Sequence, residues 1–326
     1  MAELRYNPLL NDYVMVAASR DKRPDMPKGF CPFCIGSGKV PEDYDVYNYP
    51  NDFPILSTNP PEPDSVGSDF YRTEESYGKC DVILYSPDHH GKLWQLSDQQ
   101  LQKLVRLWAD RYVELKADPK IKYILPFENR GAEVGTTMPH PHGQIYAYPF
   151  VPFLVREEMN NAKAFYQERG RSIYDQMIQE ERDFGGRIVY ENGSFLVFVP
   201  FFAQYPYGVY IFNKRGVSSF AQFDEDLTAD FAEVLKTMVG SYDALFDKEF
   251  PYMMCIYNAP TNTDEYEGAE DFFRFHVKFF PPLRGANSIK WNASSETGAG
   301  AFGNPRIPEQ TAEELREAVK KYHESK

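Results

Sequence analysis

Two histidines stand one residue apart in the segment MPHPHGQIYAYP, residues 138–149 of a chain that has six histidines in all. Pro141 lies between them and disfavours a helix, so the pair does not form the helical HExxH arrangement of zinc proteases. Residues two apart on an extended backbone face the same way, which aligns His140, His142 and Gln144 on one side. A neutral imidazole is a good nucleophile, and a neighbouring amide can donate to a phosphate oxygen. The segment therefore predicts nucleophilic transfer of a phosphoryl or nucleotidyl group.

A second candidate for chemistry is the cysteine pair in KGFCPFCIGSG. The four cysteines of the chain are Cys31, Cys34, Cys80 and Cys255. They are too few and too scattered for a disulfide scaffold, and no thioredoxin-like βαβ pattern surrounds the CxxC pair. Half of a structural zinc site is the favoured alternative to a turn with two half-buried thiols. The further ligands would come from His89 or His90 in SPDHHG and from His140, which would leave His142 for the chemistry.

The pattern of strands and helices that must position these residues occurs twice. Strands are predicted over residues 80–87, 122–129, 142–151, 207–214, 252–260 and 272–282. Helices are predicted from the capping box of Ser97 and Gln100 to Leu115, over residues 155–183, from Asp224 to Leu245, and in a tail helix capped by Thr311 and Glu314. The order strand, helix, strand, strand recurs, with His142 and His276 in the last strand of each copy. This predicts an α+β fold of two related halves, residues 1–154 and 155–326, with mostly antiparallel sheets.

Charge and hydropathy exclude several classes of partner. The chain has 326 residues and a net charge of −13, from 48 acidic and 35 basic residues. No basic surplus is available to neutralise nucleic acid or an anionic membrane surface. No apolar run approaches the roughly 18 residues of a spanning helix, and MAELRYNPLL lacks the layout of a signal peptide. We therefore expect a soluble, cytoplasmic protein that binds neither nucleic acid nor membrane.

The segment FENRGAEVGTTMPHPHGQIYAYP, together with CPFC, SPDH and SRDKRP, resembles the galactose-1-phosphate uridylyltransferase family, a branch of the histidine-triad superfamily. The resemblance covers nearly the whole chain, and its HPHGQ core preceded by FEN is specific to that branch. It implies exchange of a uridylyl group between UDP-glucose and galactose 1-phosphate by a ping-pong route. It also implies two histidine-triad-like halves and a homodimer with shared active sites.

The resemblance assigns roles residue by residue. His142 would be the nucleophile that forms a uridylyl-histidine intermediate, and Gln144 would bind the phosphate oxygens. Thr137 stands where the family usually has a serine, and Asn129 would orient the phosphates or the active loop. The structural zinc would be held by Cys31, Cys34, His89 and His140.

Other positions match the family outside this core. Arg20 and Arg23 match arginines near the phosphates, and a guanidinium suits that role. The uridine-binding segment is matched by Asn51, Asp52 and Phe53. The segment IKWNASSETGAGAFGNP resembles the one that each subunit lends to its partner's sugar site. In it Lys290 and Glu296 match, Trp291 replaces a phenylalanine and Ser295 stands where a tyrosine is common, so the hexose preference stays open.

The chain departs from those family members that carry a second, iron-type site of one glutamate and three histidines. Glu158 and His276 match two of these positions, but Tyr257 and Lys278 occupy the others. A lysine ammonium has no lone pair to donate to a metal and would repel a cation. The sequence therefore predicts that this second site holds no metal or is filled by side chains.

Three alternatives to the hexose-1-phosphate uridylyltransferase remain open from the sequence. Inorganic phosphate as acceptor would make the protein a nucleotide-sugar phosphorylase that uses the same histidine. Water as acceptor would make it a nucleotide hydrolase. A zinc-stabilised nucleotide sensor without turnover is the third, although a protein that only binds does not need a nucleophile beside Gln144.

Overall fold

The computed structural model describes residues 2–18 and 29–325. Its strands are β1 Ala2–Asn7, β2 Asp12–Ala17, β3 Tyr47–Pro50, β4 Thr73–Glu75, β5 Lys79–Leu84, β6 Tyr123–Arg130, β7 His142–Tyr148, β8 Ile188–Glu191, β9 Phe195–Phe198, β10 Tyr210–Asn213, β11 Tyr252–Tyr257, β12 His276–Phe280, β13 Leu283–Gly285 and β14 Ser288–Ile289. The helices are α1 Asp98–Lys116, α2 Phe153–Arg169, α3 Ile173–Phe184, α4 Glu225–Phe246, α5 Ala269–Phe272, α6 Ser294–Ala299 and α7 Pro308–Glu324. Among the described residues, no helix is both long enough and apolar enough to cross a membrane.

Nine strands form one sheet in the order β3-β5-β7-β6-β11-β12-β10-β9-β8, and every neighbouring pair is antiparallel. A smaller three-stranded sheet has the order β2-β1-β4. The large sheet is continuous because β6 pairs with β11, with Arg130 opposite Tyr252 and Phe127 opposite Cys255. The fold is therefore α+β with mostly antiparallel sheets, as predicted.

Helices cover both faces of the large sheet. The apolar faces of α1, α4 and α7 pack on one side, and those of α2, α3 and α5 pack on the other. Two of these helices begin where the sequence predicted. Ser97 accepts a hydrogen bond from the backbone N–H of Gln100 at the start of α1, and Asp224 accepts one from that of Leu227 at the start of α4. Such caps satisfy backbone donors that have no partner inside the helix.

The predicted internal duplication is visible in the strand order. β5, α1, β6 and β7 give the spatial order β5-β7-β6, and β10, α4, β11 and β12 give the matching order β10-β12-β11. His142 and His276 are the first residues of β7 and β12, opposite Leu84 and Phe212 respectively. In both halves the histidine Nδ1 lies 2.8 Å from the carbonyl oxygen two residues earlier. The two halves are thus related in topology and in local geometry.

Two predicted details of capping were wrong. α7 begins at Pro308, so Thr311 lies inside the helix and does not cap it. Proline fits the first helical turn because it lacks only an N–H that would have no partner there. Glu314 instead accepts a hydrogen bond from the hydroxyl of Tyr207. The side chain of Gln100 donates to the carbonyl of Tyr85 and does not close the capping box. The predicted boundary between residues 154 and 155 falls in the first turn of α2 and stays a prediction.

Candidate active site and metal centre

The HPHGQ segment lies at the start of β7, near the middle of the large sheet. β7 pairs with β5 on one side and with β6 on the other, and it places His142 opposite Leu84 and Gln144 opposite Val82. Because side chains alternate along a strand, His142 and Gln144 project from the same face. Both are partly exposed at the end of the strand, whereas Gly143 between them is buried. The shared face predicted for His142 and Gln144 is observed, whereas His140 precedes β7 and directs its buried ring at Cys31 and Cys34.

The ring of His142 has a defined orientation. Its Nδ1 lies 2.8 Å from the carbonyl oxygen of His140, and because a carbonyl only accepts, Nδ1 carries the proton. Nε2 is then the nitrogen that carries the lone pair in the neutral imidazole. The ring of Phe33 packs at 5.4 Å from that of His142, centroid to centroid. The arrangement presents an oriented imidazole at the strand end.

Gly143 is required by close packing rather than by an unusual backbone angle. A Cβ atom at this position would lie 2.3 Å from the hydroxyl oxygen of Tyr85 and 3.0 Å from the carbonyl oxygen of Phe127. The Tyr85 hydroxyl is itself held, since it donates to buried Glu128 at 3.1 Å. Tyr252 donates to the other oxygen of Glu128 at 3.0 Å. Burial raises the pKa of the Glu128 carboxyl to about 7.

A cluster of two cysteines and two histidines lies beside the active segment. The ligand atoms of Cys31, Cys34, His89 and His140 all lie within 4.8 Å of one another. Cys34 Sγ is 3.3 Å from His89 Nδ1 and 3.7 Å from His140 Nδ1. A tetrahedral ion with metal–sulfur bonds of about 2.3 Å and metal–nitrogen bonds of about 2.0 Å separates such atoms by about 3.5 Å. The cluster could therefore hold a metal ion, and of the two adjacent histidines it is His89 that faces it.

The surroundings of His140 prepare it as a metal ligand. Its Nε2 donates to the carbonyl of Ser86 at 2.7 Å, which directs Nδ1 toward the two sulfur atoms. Burial lowers the pKa of His140, so its imidazole is neutral. Burial also raises the pKa of the Cys31 thiol to about 11, and metal binding would have to displace that proton. The Tyr44 hydroxyl donates to the Phe33 carbonyl at 2.6 Å and braces the same loop.

Two cavities meet at His142. The first, here called the aromatic cavity, has a volume of about 230 Å³, and its walls include Tyr49, Phe53, Thr137, His142 and Gln144. The second, here called the strand-end cavity, has a volume of about 320 Å³, and its walls include Lys92, Asn129, Arg130, Thr136 and His142. His142 can therefore contact a ligand in either cavity.

The structure brings most of the predicted substrate-binding residues to these cavities. Asn51, Asp52 and Phe53 line the aromatic cavity. Asn51 accepts the backbone N–H of Phe53 at 2.9 Å, and Asp52 accepts the hydroxyl of Tyr49 at 2.7 Å. Asn129 lines the strand-end cavity. Arg20 and Arg23 lie outside the described residues.

Lys290 and Glu296 lie together in the C-terminal segment but away from His142 in the same chain. The Lys290 ammonium pairs with the Glu296 carboxylate and lowers the pKa of Glu296 to about 2. Glu296 also accepts the backbone N–H of Ala293 at 3.0 Å. Neither residue is among the described residues that line the two cavities at His142.

The four residues at the positions of the family's second metal site, Glu158, Tyr257, His276 and Lys278, contact one another. Glu158 Oε1 lies 3.1 Å from His276 Nε2, and the Lys278 ammonium donates to the other carboxylate oxygen. The ring of Tyr257 stacks on that of His276 at 4.7 Å. The Lys278 ammonium and His276 hold the pKa of Glu158 well below its usual range, against the opposing effect of burial. That no metal binds here stays a prediction.

Comparison with known proteins agrees with this geometry. The family model described as galactose-1-phosphate uridyl transferase, N-terminal domain, matches residues 25–152, and the corresponding C-terminal model matches residues 158–326. The chain belongs to the galactose-1-phosphate uridyl transferase family. The galactose-1-phosphate uridylyltransferase of Thermotoga maritima is 43% identical over 97% of this chain and 98% of its own length. That of Streptomyces lividans is 32% identical over 98% of this chain and 87% of its own.

Solved structures give the same assignment of fold. A uridylyltransferase structure superposes with a TM-score of 0.89 at 30% identity, covering 98% of this chain and 99% of the other. An ADP-glucose phosphorylase from Arabidopsis thaliana, with bound ADP-glucose, superposes with a TM-score of 0.75 at 26% identity. It covers 97% of this chain and 99% of its own.

Several residues around this family's active segment were not identified from the sequence. Lys92 and Arg130 line the strand-end cavity, and Lys39 lines the aromatic cavity. Arg130 directly follows FEN and Lys92 closely follows SPDHH, so their nearness to recognised motifs was the available signal. Glu128 is the glutamate of FEN, so the motif was the available signal for it too, although the motif gave no reason to assign it a role.

Proposed function

We propose that this chain is a UDP-glucose–hexose-1-phosphate uridylyltransferase that works through a uridylyl-histidine intermediate at His142. The observation that carries this proposal is the orientation of His142, whose Nδ1 is held at 2.8 Å by the His140 carbonyl at the junction of two cavities. Family membership supports the same activity, since relatives with this name match nearly the whole chain. The substrates are then UDP-glucose and galactose 1-phosphate.

The transfer takes place in two displacements. The lone pair of His142 Nε2 forms a bond to the α-phosphorus of UDP-glucose, and the bond from that phosphorus to the oxygen of glucose 1-phosphate breaks. The electron pair leaves with that oxygen. Galactose 1-phosphate then attacks the same phosphorus, and the N–P bond breaks to return the imidazole. The proton stays on Nδ1, hydrogen-bonded to the His140 carbonyl throughout, so neither step consumes a proton.

The neighbouring residues bind and orient the nucleotide in this scheme. The amide of Gln144 and the hydroxyl of Thr137 donate to the oxygens of the α-phosphate as charge develops. Asn129 orients the phosphates from the side of the strand-end cavity. The nucleoside lies in the aromatic cavity, against Asn51, Asp52 and Phe53. Arg20 and Arg23 would add positive charge near the phosphates.

The cluster of two cysteines and two histidines holds zinc in this proposal. Sulfur and imidazole nitrogen are the usual ligands of structural zinc, and four protein ligands leave no open position for catalysis. The ion would link the loop of Cys31 and Cys34 to His140. His140 is at once a metal ligand and the residue whose carbonyl accepts the hydrogen bond from His142. The role of the ion is therefore structural.

We also propose a homodimer in which each subunit completes its partner's sugar site. The position of Lys290 and Glu296 supports this, since in their own chain they line neither cavity at His142. The two halves, residues 1–154 and 155–326, then have different tasks. The first carries the nucleophile and zinc, and the second carries the segment lent to the partner.

A phosphorylase is the second candidate, favoured by one comparison. The superposition on an ADP-glucose phosphorylase at a TM-score of 0.75 indicates that the same fold can serve phosphorolysis in another protein. Inorganic phosphate would then attack the same uridylyl-histidine. Comparing galactose 1-phosphate with inorganic phosphate as acceptor separates the two functions.

The experiment that tests the proposal is intact-protein mass spectrometry after mixing with UDP-glucose alone. We expect a mass increase of one uridylyl group that disappears when galactose 1-phosphate is added. His142→Gly should remove the increase and keep the fold, as measured by circular dichroism. An adduct that persists in His142→Gly would move the nucleophile elsewhere. No adduct with UDP-glucose or any other nucleotide sugar would refute the covalent mechanism.

A further inference from the structure

Asp243 lies near the end of α4, in the C-terminal half, and is 8% exposed. Its Oδ1 accepts from Arg130 at 2.8 Å and from the backbone N–H of Phe250 at 3.0 Å. Its Oδ2 accepts from the other terminal nitrogen of Arg130 at 2.8 Å, from the indole of Trp94 at 2.9 Å and from Lys92 at 3.3 Å. One carboxylate thus holds side chains from two separate segments and a backbone N–H from a third, and the two-point bond to Arg130 fixes its plane.

Two of these partners form part of the wall beside His142. Lys92 and Arg130 both line the strand-end cavity, whereas Asp243 does not. Their side chains are 30% and 12% exposed, so each retains N–H groups on the cavity side after pairing. Without Asp243 the two cations would repel each other, and nothing else among their described contacts holds both. The position of the cations therefore depends on a residue that does not reach the cavity.

We propose that Asp243 is a positioning residue, which holds Lys92 and Arg130 in the wall of the strand-end cavity where they bind the phosphate of the hexose 1-phosphate. This rests on the proposed function. A nucleotide sugar is a linear molecule, so with the nucleoside in the aromatic cavity and the α-phosphorus at His142, the second phosphate and the hexose extend into the other cavity. Lys92 and Arg130 donate to the phosphate there.

The remaining walls offer polar groups beside the two cations. Asn129 and Thr136 offer polar side chains, and Glu249 offers carboxylate oxygens that accept from sugar hydroxyls. Both oxygens of Glu128 already accept from the hydroxyls of Tyr85 and Tyr252. Glu249 lies 3.9 Å from Arg130, so part of the positive charge is balanced. These groups are available to the hexose hydroxyls beside the phosphate that Lys92 and Arg130 hold.

The test is steady-state kinetics of Asp243→Asn with galactose 1-phosphate as the varied substrate. An amide cannot accept two N–H groups from Arg130 in the same way, and hydrogen bonds between two charged groups are roughly twice as strong as those between neutral ones. We expect KM for galactose 1-phosphate to rise about tenfold or more by the same reasoning, with a much smaller change in kcat. Binding of UMP, which reaches only the aromatic cavity, should keep its wild-type Kd.

The matched control is Asp81→Asn. Asp81 is 1% exposed and pairs with Arg111 at 2.5 Å, but neither residue lines either cavity. This variant should lose stability without a rise in KM. Should Asp243→Asn fold poorly, Lys92→Met provides a second test, because Asp243 keeps its bonds to Arg130 and Trp94 and no buried charge is left unpaired. Its KM for galactose 1-phosphate should also rise.

An unchanged KM in both Asp243→Asn and Lys92→Met would overturn the proposal. An equal rise in KM in Asp81→Asn would overturn it too, because the effect would then be general loosening of the fold. Failure of the proposed function is recognised separately, since the wild-type protein would then form no uridylyl adduct.

Discussion

Replacing Gly143 with alanine tests whether close packing beneath the nucleophile sets the reaction geometry. The new Cβ would lie 2.3 Å from the Tyr85 hydroxyl oxygen, whereas ordinary contact begins at 3.4 Å. The strand or the tyrosine must therefore move by about 1.1 Å. Overpacking of this kind costs about 1–3 kcal/mol of stability. A displacement of about 1 Å at a reacting group can slow the chemistry about 100-fold.

The assay measures two quantities, the free energy of unfolding in urea and the rate of uridylyl-enzyme formation in a single turnover. Gly143→Ala should lower the first by about 1–3 kcal/mol and the second by about 100-fold. Tyr85→Phe removes the clashing oxygen and one bond to Glu128, at a cost of about 1 kcal/mol. The double variant should be more stable than the sum of the single effects predicts, by about 1 kcal/mol or more.

Additive effects would refute the reasoning, because they would show that the new methyl group and the Tyr85 hydroxyl do not compete for space. A Gly143→Ala variant with wild-type stability and rate would refute it as well. In that case the strand would tolerate the methyl group by a movement that leaves His142 in place. Rescue of stability without rescue of rate would separate packing from catalysis.

Other predictions concern the metal, the C-terminal cluster and helix capping. Cys31→Ser with Cys34→Ser should lose the proposed zinc and about 4 kcal/mol or more of stability, and zinc analysis of both proteins with urea unfolding checks both. An unchanged unfolding curve would contradict the structural role. Glu158→Gln leaves the Lys278 ammonium without its carboxylate and should lower the free energy of unfolding by about 2–4 kcal/mol. This is less than for a fully buried pair, because the Glu158 side chain is 26% exposed. The folded state lowers the pKa of Glu158, so this stabilisation is present above the ordinary carboxyl pKa and is lost as the pH falls below it. Glu158→Gln should therefore reduce the fall in the free energy of unfolding at acid pH. An unchanged pH dependence would contradict the assignment. Ser97→Ala removes the cap of α1 and should cost about 1 kcal/mol, with no effect on metal content; a loss of metal would show that the helix and the metal loop are coupled.

The sequence was sufficient for those parts of the site that depend on local geometry. Alternation along a strand has a period of two residues, so the spacing of His142 and Gln144 was enough to predict that they share a face. A CxxC turn likewise brings two sulfur atoms together within four residues. Helix starts marked by Ser97 and Asp224 were predicted because a cap involves only neighbouring residues. Periodicity also indicated the repeated order of strands and helices.

Only the tertiary structure decided matters that depend on distant segments. His89 and His90 are equally placed in sequence, and the path of their loop determines that His89 faces the cysteines. The pairing of β6 with β11 joins the two halves into one sheet, and no local pattern reports it.

The contact of Asp243 with Lys92 and Arg130 spans more than 100 residues of chain. The spacing of such residues along the chain carries no information about their distance in space. Their meeting is fixed by the packing of α4 against the sheet, and that packing is the sum of many apolar contacts rather than the property of any one motif.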